Sequence, residues 1–196
     1  IMKVSVILGH PYEKSFNSAI AEVVVQQLES MGHTVYFHDL QKENFKPVLN
    51  APELISDYND DLLVQLCQKE IVDSDGIVII HPNWWGQPPA IMKGWIDRVL
   101  RENIAYKFED GDNGGGLPIG LLHAQKAIVF NTSNTEKTRE ENVFGDPLEA
   151  IWKDCIFDFC GVSDFQRRMF RIIADSSEKD RLIWLNEVKD IIATSF

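Results

Sequence analysis

Short apolar runs recur along the chain and predict the strands. Residues 4–8, 76–80 and 126–130 are mainly apolar over five positions each, which is typical of strands buried on both faces. Residues 34–40 alternate like a strand that is less completely buried, and a further strand is predicted within 163–173. The pattern therefore predicts five strands.

Helical periodicity fills the segments between these strands. Apolar residues recur at spacings of three and four, and this spacing predicts helices at 20–31, 62–72, 91–100, 146–161 and 181–193. Gly32 is a natural stop for the first helix, and Pro88 and Pro89 suit the start of the third. The segment with Pro47 and Pro52 is predicted to be a loop, and residues 103–121, with three glycines at 114–116, to be a surface excursion.

Alternation of strands and helices predicts an α/β architecture. Parallel neighbours need crossover connections, so helices should cover both faces of a five-stranded, doubly wound sheet with the flavodoxin-like strand order. We expect a single flavodoxin-like domain over 1–196. In such sheets ligands bind beyond the carboxyl ends of the strands. The loops after the first, third and fourth strands are therefore the candidate site.

Composition narrows the class of function. Of 196 residues 44% are hydrophobic, enough for one sizeable core, and the formal charge of −11 argues against a nucleic-acid surface. No stretch resembles a signal peptide or approaches the length of a bilayer span, so a cytoplasmic location is expected. The three cysteines have no paired spacing, so neither a disulfide framework nor a metal site is predicted.

The loop after the first strand, residues 9–18, leads into a helix and carries hydroxyl and amide side chains. Such residues beside unpaired N–H groups at the positive end of a helix can bind a phosphate. Ser15 or Asn17 could instead only cap the helix, and His10 could be an ordinary loop histidine or a donor to phosphate. The chain has neither a Walker motif nor G-x-G-x-x-G, so a nucleotide triphosphatase or an ordinary dinucleotide fold is not indicated.

The loop after the third strand places Trp84 and Trp85 where the chain leaves the sheet. Core tryptophans usually occupy periodic positions, so burial in the main core explains this pair poorly. A planar aromatic cofactor would supply a flat apolar partner, and backbone amides around Gly86 could bond its edge. Packing under the neighbouring excursion is the alternative.

Three motifs together carry a resemblance to a known family. They are H-P-x-x-x-S-F-N after the first strand, P-N-W-W-G-Q-P-P-A-I-M-K-G-W-I-D-R after the third, and F-G-D-P-L-E before a later helix. Over nearly its whole length the chain resembles the flavodoxin-like NAD(P)H:quinone oxidoreductases, which include bacterial NAD(P)H oxidoreductases, modulators of drug activity and ancillary proteins of potassium efflux systems. The resemblance implies noncovalently bound FAD or FMN that takes hydride from NAD(P)H.

The resemblance also implies the site residues. The flavin phosphate region would be held by His10, Ser15, Phe16, Asn17 and Ser18, and the ring by Pro82, Asn83, Trp84, Trp85 and Gly86. The fourth-strand loop, with Asn131, Thr132, Ser133 and Asn134, should approach the pyrimidine edge of the ring. Many relatives have T-T-G-G there, so this loop departs from the family pattern. Tyr106, Phe108 and Phe144 are expected to line the substrate pocket.

Animal relatives carry a Tyr and a His that are proposed to relay charge. Phe144 stands where the His would fall, and no matching Tyr is present, so the relay is not transferred. Backbone N–H groups are then expected to stabilise charge on the reduced flavin. Family members pair so that the excursion walls the partner's pocket, which together with the apolar residues near Tyr106 predicts a two-fold homodimer.

Two classes of function follow. The first is an enzyme that passes two electrons from NAD(P)H to quinones or similar electrophiles by a ping-pong mechanism. The second is a flavin-binding regulatory subunit that contacts a membrane transporter without inserting into the bilayer. A one-electron flavodoxin is less favoured, because its hydroxyl- and glycine-rich phosphate loop is missing.

Overall fold

The computed structural model describes residues 1–56, 59–109, 111–112 and 115–196. Its strands are β1 (Lys3–Leu8), β2 (Thr34–Asp39), β3 (Gly76–Pro82), β4 (Tyr106–Lys107), β5 (Ile119–Gly120), β6 (Lys126–Ser133) and β7 (Asp164–Arg171). Five of them form one parallel sheet in the order β2-β1-β3-β6-β7, while β4 and β5 pair as a separate antiparallel ribbon. This order confirms the predicted flavodoxin-like α/β fold.

Helices cover both faces of the sheet. They are α1 (Phe16–Ser30), α2 (Ala51–Ile55), α3 (Leu62–Val72), α4 (Ala90–Val99), α5 (Lys137–Asn142), α6 (Pro147–Ala150), a π-helix (Ile151–Asp158), a 3-10 helix (Ile173–Asp175) and α7 (Glu178–Ser195). Within the described part of the chain, no helix has both the length and the apolar character that crossing a bilayer requires.

Two apolar layers hold the helices to the sheet, because successive strand residues face opposite sides. Val78 and Ile80 of β3 belong to the layer under α1 and α7, whereas Ile77 and Ile79 belong to the layer under α3, α4 and the π-helix. All four side chains are buried. The continuous apolar runs in the sequence therefore reflect a sheet that is buried on both faces.

The K-G-W-I-D-R motif in α4 has a structural role. A Cβ at Gly94 would lie 2.3 Å from the Pro47 Cα, so only glycine allows this close approach. One turn later Arg98, 4% exposed, donates to both carboxylate oxygens of Glu53 and, at 3.0 Å, to Asp61. Arg98 holds the pKa of the Glu53 carboxyl below its usual value. The motif thus fixes the segment that precedes α3.

A second buried charge cluster lies at the end of β2. His38 is buried, and its Nδ1 and Nε2 atoms lie 3.0 Å and 2.6 Å from the carboxylates of Glu43 and Glu70. Burial alone would lower the pKa of this imidazole, but contacts with the Cys67 sulfur and with Glu43 outweigh burial and raise the pKa to about 11. His38 is therefore a positive charge clamped between two carboxylates.

The structure corrects several local predictions. β3 and β6 extend through Pro82 and Ser133, so their polar ends are strand rather than loop, and Pro52 lies inside the short helix α2. The helix α5 was not predicted, nor was the π-helix in the second half of 146–161. The excursion contains the β4–β5 ribbon, while Gly114 lies outside the described residues.

Asp146, the first residue of the helix predicted over 146–161, does not cap that helix through its side chain. Asp146 has a left-handed φ of 46° and makes no side-chain cap hydrogen bond. Its carboxylate instead pairs with Arg167 of β7, whose Nε also lies 2.6 Å from Glu149. The start of α6 is therefore held by a charge cluster, not by capping.

Candidate functional site

The N-terminus of α1 opens at the carboxyl end of β1. Ser15 caps this 15-residue helix, because its Oγ accepts from the Ser18 N–H at 3.1 Å, and the two hydroxyls lie 3.0 Å apart. Ser18 Oγ also donates to the Tyr12 carbonyl at 3.3 Å. The cap uses one N–H of the first turn, which leaves others without an intrahelical partner. The positive end of the helix dipole faces the same point.

Asn17 connects this helix to the carboxyl end of β6. Its Nδ2 donates to the Thr132 hydroxyl at 2.8 Å, and the side chain is 3% exposed. The Asn17 Oδ1 has no protein partner although it is buried. A buried amide oxygen without a partner is costly, so this atom points to a ligand or water that donates a hydrogen bond. Asn17 therefore does not cap α1, whose cap is Ser15, and instead ties the helix to β6.

His10 follows β1 and lies beside Trp84, with ring centroids 6.1 Å apart. Its Nδ1 accepts from the Tyr12 N–H at 3.0 Å, so in the neutral ring the proton is on Nε2. Burial lowers the pKa of this imidazole, although the backbone contact at Tyr12 opposes the shift. The neutral ring therefore has an Nε2–H available for donation.

Trp84 to Gln87 form a tight turn after β3. The N–H and carbonyl groups of Trp84 and Gln87 exchange hydrogen bonds of 3.1 Å and 3.0 Å. The two central residues both have positive φ, 60° at Trp85 and 71° at Gly86, as in a type I′ turn. A Cβ at Gly86 would lie 2.7 Å from the Pro147 Cγ, so the turn also needs a glycine for packing.

Trp85 is fully exposed and has an unfavourable backbone conformation. Its side chain is 100% exposed, and a left-handed backbone is unfavourable for a side chain of this size. The indole ring therefore adds no core packing, and the backbone at Trp85 is strained, so this residue does not stabilise the isolated chain. Strain at a large exposed aromatic side chain points to a binding role.

Asn83 joins the turn to α5. Its Oδ1 accepts from the Gly86 N–H at 2.9 Å, and its Nδ2 lies 3.1 Å from both carboxylate oxygens of Glu140. The Asn83 N–H donates to the Thr132 carbonyl at 2.7 Å. The Gly86 amide, which the sequence suggested for the edge of a cofactor, is thus engaged inside the turn.

These loops enclose two adjoining clefts. The first, about 410 Å³, collects most of the residues predicted to bind the cofactor, and the second, about 510 Å³, lies on the far side of Asn83. The first is lined by His10, Ser15, Phe16, Asn17, Pro82, Asn83, Trp84, Thr132, Ser133, Asn134, Thr135 and Ile173. The second is lined by Asn83, Trp85, Gly86, Thr135, Glu140, Phe144 and Pro147.

The third loop approaches the first cleft without glycine. No residue of 131–134 has a positive φ, so the missing glycines leave no left-handed residue behind. Ser133 Oγ accepts from the Thr135 N–H at 3.1 Å, and Asn134 Oδ1 accepts from the Ala174 N–H at 2.9 Å. Side chains of the loop itself therefore hold its conformation through hydrogen bonds to backbone N–H groups.

Asn131 lies beneath the clefts and not in their walls. It is fully buried, and its Nδ2 donates to the His81 carbonyl at 3.1 Å. His81 Nε2 accepts from the Trp152 indole N–H at 2.8 Å, and Nδ1 lies 2.8 Å from the Pro82 carbonyl. Complete burial lowers the pKa of this imidazole to about 4. A neutral, hydrogen-bonded layer therefore supports the Pro82 end of the cleft.

The three predicted pocket residues separate in the structure. Phe144 is half exposed in the second cleft, under the Arg139 guanidinium at 5.2 Å. Tyr106 and Phe108 line neither cleft and pack edge-on against each other and against Phe159, the Tyr106 and Phe159 centroids being 4.8 Å apart. Within this chain, the excursion packs against Phe159, the residue that follows the π-helix.

Sequence reasoning missed four residues of the clefts. Glu140 and Thr135 lie on or just before α5, whose sequence K-T-R-E-E-N gives no apolar periodicity to signal burial. Ile173 and Pro147 reach the clefts from beyond β7 and from α6. The motif F-G-D-P was noted, but nothing in it indicates that Pro147 packs on Gly86.

The fold and the position of the clefts indicate the general class of protein. A five-stranded doubly wound sheet with polar and aromatic loops at the carboxyl ends is a flavodoxin-like ligand-binding protein. In agreement, a family described as having a flavodoxin-like fold matches residues 2–185.

Individual relatives narrow this class. The chain is 33% identical to a Haemophilus influenzae protein named "Uncharacterized NAD(P)H oxidoreductase", over 89% of this chain and 87% of that one. It is 29% identical to the Rattus norvegicus "Ribosyldihydronicotinamide dehydrogenase [quinone]", over 96% and 91%. The crystal structure of Smu.1420 from Streptococcus mutans is 28% identical, covers 97% and 98%, and superposes with a TM-score of 0.83. The chain belongs to the flavodoxin-like NAD(P)H:quinone oxidoreductase family, a family of oxidoreductase enzymes.

Proposed function

We propose that this protein is a flavin-dependent NAD(P)H oxidoreductase that transfers two electrons to quinones or similar electrophilic acceptors. The observation that carries the proposal is the pair of adjoining clefts, with the unpartnered amide oxygen of Asn17 at one end and the strained, exposed Trp85 at the other. The names of the relatives support the choice of NAD(P)H as donor and of quinones as acceptors.

The residues of the first cleft fit the phosphate end of a noncovalent FAD or FMN. A phosphate at the start of α1 would receive N–H groups of the first turn and the His10 Nε2–H, while Ser15, Phe16 and Ser18 shape the loop. The buried Asn17 Oδ1 can accept from a hydroxyl of the ligand.

The wall from Pro82 to Gly86 fits a planar ring system. Trp84 and Trp85 offer flat apolar surface, and Thr132, Ser133 and Asn134 offer polar groups from the facing strand end. Asn131 supports this wall from below through His81. A flavin bound here would accept two electrons as a hydride from NAD(P)H and deliver them to the acceptor.

We propose a ping-pong order for the two substrates. The sequence has no G-x-G-x-x-G after any strand, and the second cleft, beside Trp85 and Phe144, is the apolar space that adjoins the ring wall. Nicotinamide and quinone would both have to occupy this space to come within reach of the ring. They therefore take turns, and the oxidised nucleotide leaves before the quinone enters.

We further propose a two-fold homodimer. Tyr106 and Phe108 are partly exposed and lie away from the clefts of their own chain, so in a dimer they could face the partner's second cleft. Light scattering at working concentration checks the assembly, and a monomer would contradict it. The regulatory-subunit alternative stays a prediction from the resemblance.

The test of the proposal begins with the purified protein. It should absorb at about 450 nm, or acquire that band after reconstitution with FAD or FMN, and mass spectrometry of the released cofactor should identify which flavin binds. Initial rates at several fixed quinone concentrations should then give parallel double-reciprocal lines when NAD(P)H is varied. Colourless protein that cannot be reconstituted would refute the flavin, and intersecting lines would refute the ping-pong order.

A further inference from the structure

Glu140 is a buried carboxylate beside the Trp85 turn that the proposed function does not use. Its side chain is 1% exposed although it lines the second cleft. Its one ion pair within 4.0 Å in the described part of the chain is with Arg171, whose Nη1 lies 4.0 Å from Oε2. An acidic side chain is rarely buried to this degree unless hydrogen bonds compensate it.

The compensating bond comes from Asn83, and it fixes the orientation of that amide. A carboxylate only accepts and a backbone N–H only donates, so Asn83 must present Nδ2 to Glu140 and Oδ1 to Gly86. If Glu140 were absent, Nδ2 would have no partner at this point. The orientation that holds the Gly86 N–H is thus set from α5.

The Gly86 bond in turn fixes the conformation of Trp85. Gly86 and Trp85 are the two positive-φ residues of the turn, and the Asn83 bond closes it from inside. The main chain of Glu140 adds a second tie, because its carbonyl accepts from the Asp146 N–H at 2.9 Å, next to the Pro147 ring that packs on Gly86. One residue therefore supports both sides of the turn.

We propose that Glu140 is a positioning residue that orients Asn83 and, through it, holds the Trp85 turn against the second cleft. The functional consequence rests on the proposed function, in which Trp85 contacts the flavin. The structural consequence does not, because the turn is formed by the chain alone.

The experiment measures hydrogen exchange of the Gly86 amide by NMR in flavin-free protein. Glu140→Leu should speed this exchange about tenfold, the effect of losing one hydrogen bond's net stabilisation. Glu140→Gln keeps an acceptor for Asn83, so its exchange should stay within about threefold of the parent protein. The matched control Glu141→Leu, at an exposed neighbouring position, should leave the Gly86 amide unchanged.

If Glu140→Leu does not fold, Glu140→Ala replaces it in both the single and the double variant, because it removes the same carboxylate with a smaller side chain. Asn83→Leu removes the acceptor itself and should also speed exchange at Gly86, and the double variant should exchange no faster than Asn83→Leu alone. Unchanged Gly86 exchange in a folded Glu140→Leu protein, or additive effects in the double variant, would overturn the proposal. Faster exchange with unchanged flavin affinity would uphold the positioning role and count against the role of Trp85 in flavin binding.

Discussion

Replacing Trp85 by glycine should raise the stability of the flavin-free protein and weaken flavin binding. A left-handed backbone destabilises a protein with a non-glycine residue there by about 1–2 kcal/mol, and glycine removes this strain. Glycine also destabilises the folded state by about 0.5–1 kcal/mol, because its unfolded state has a larger entropy. Because the Trp85 side chain is 100% exposed at a φ of 60°, no buried area is lost. The net gain expected for Trp85→Gly is about 0.7 kcal/mol, within a range of about 0 to 1.5 kcal/mol.

The same substitution removes the aromatic surface proposed to contact the flavin. Loss of such a contact is worth about 1–3 kcal/mol, which raises the flavin dissociation constant about 5- to 150-fold. Urea unfolding of flavin-free protein measures the first change, and fluorescence titration with FAD and FMN the second. Asn44→Gly is the control, since Asn44 has a φ of 54° and lines neither cleft; it should leave flavin affinity unchanged.

Two results would refute this reasoning. A loss of more than about 1 kcal/mol in the flavin-free Trp85→Gly protein would mean that the ring packs against the fold in solution. Unchanged flavin affinity would mean that the strained backbone at Trp85 serves some purpose other than cofactor binding.

Three further predictions concern residues around the site and the core. Asn17→Asp should lower flavin affinity about tenfold or more, since it places a negative charge beside the proposed phosphate position and disturbs the bond to Thr132; fluorescence titration checks it, and unchanged affinity would count against this position. His38 has a folded pKa of about 11 against an ordinary 6.5, so its contribution to stability is full below about pH 6.5 and is lost as pH rises towards 11. Parent stability should therefore fall between pH 7 and 10 relative to His38→Gln in urea titrations, and parallel pH profiles would contradict the clamp. Arg98→Met should destabilise by about 3–5 kcal/mol, because Glu53 would be left buried without its partner, while flavin affinity of the folded fraction stays unchanged; a loss below about 1 kcal/mol would contradict this role.

The strand order could be predicted from the sequence because the apolar runs are strong and parallel sheets allow few topologies. The ends of the strands could not. Asn131, Thr132 and Ser133 are polar and read as a loop, yet they continue β6 because ladder pairing with β7 carries them on to Arg171. After Ala150 the helix becomes a π-helix, and a search for 3.6-residue periodicity does not detect this change.

The candidate site was predictable where a single residue type is informative by itself. Paired tryptophans on a loop, and hydroxyls before a helix, predict a binding role without knowledge of the fold. Glu140 gives no such signal, since its segment is polar throughout. Its role depends on a hydrogen bond from Asn83, which is 57 positions away in the sequence. The separation of Tyr106 and Phe108 from the clefts likewise depends on Phe159, which only the folded chain brings near.

The measurement that tests the central claim most directly is anaerobic reduction of the reconstituted protein by NADH or NADPH in the absence of quinone. The account predicts that one nucleotide bleaches the flavin band completely, and that quinone added after removal of the nucleotide restores it. A flavin band that neither nucleotide bleaches, in protein shown to bind the flavin, would contradict the proposal that this protein is an NAD(P)H oxidoreductase acting through the site at Trp85.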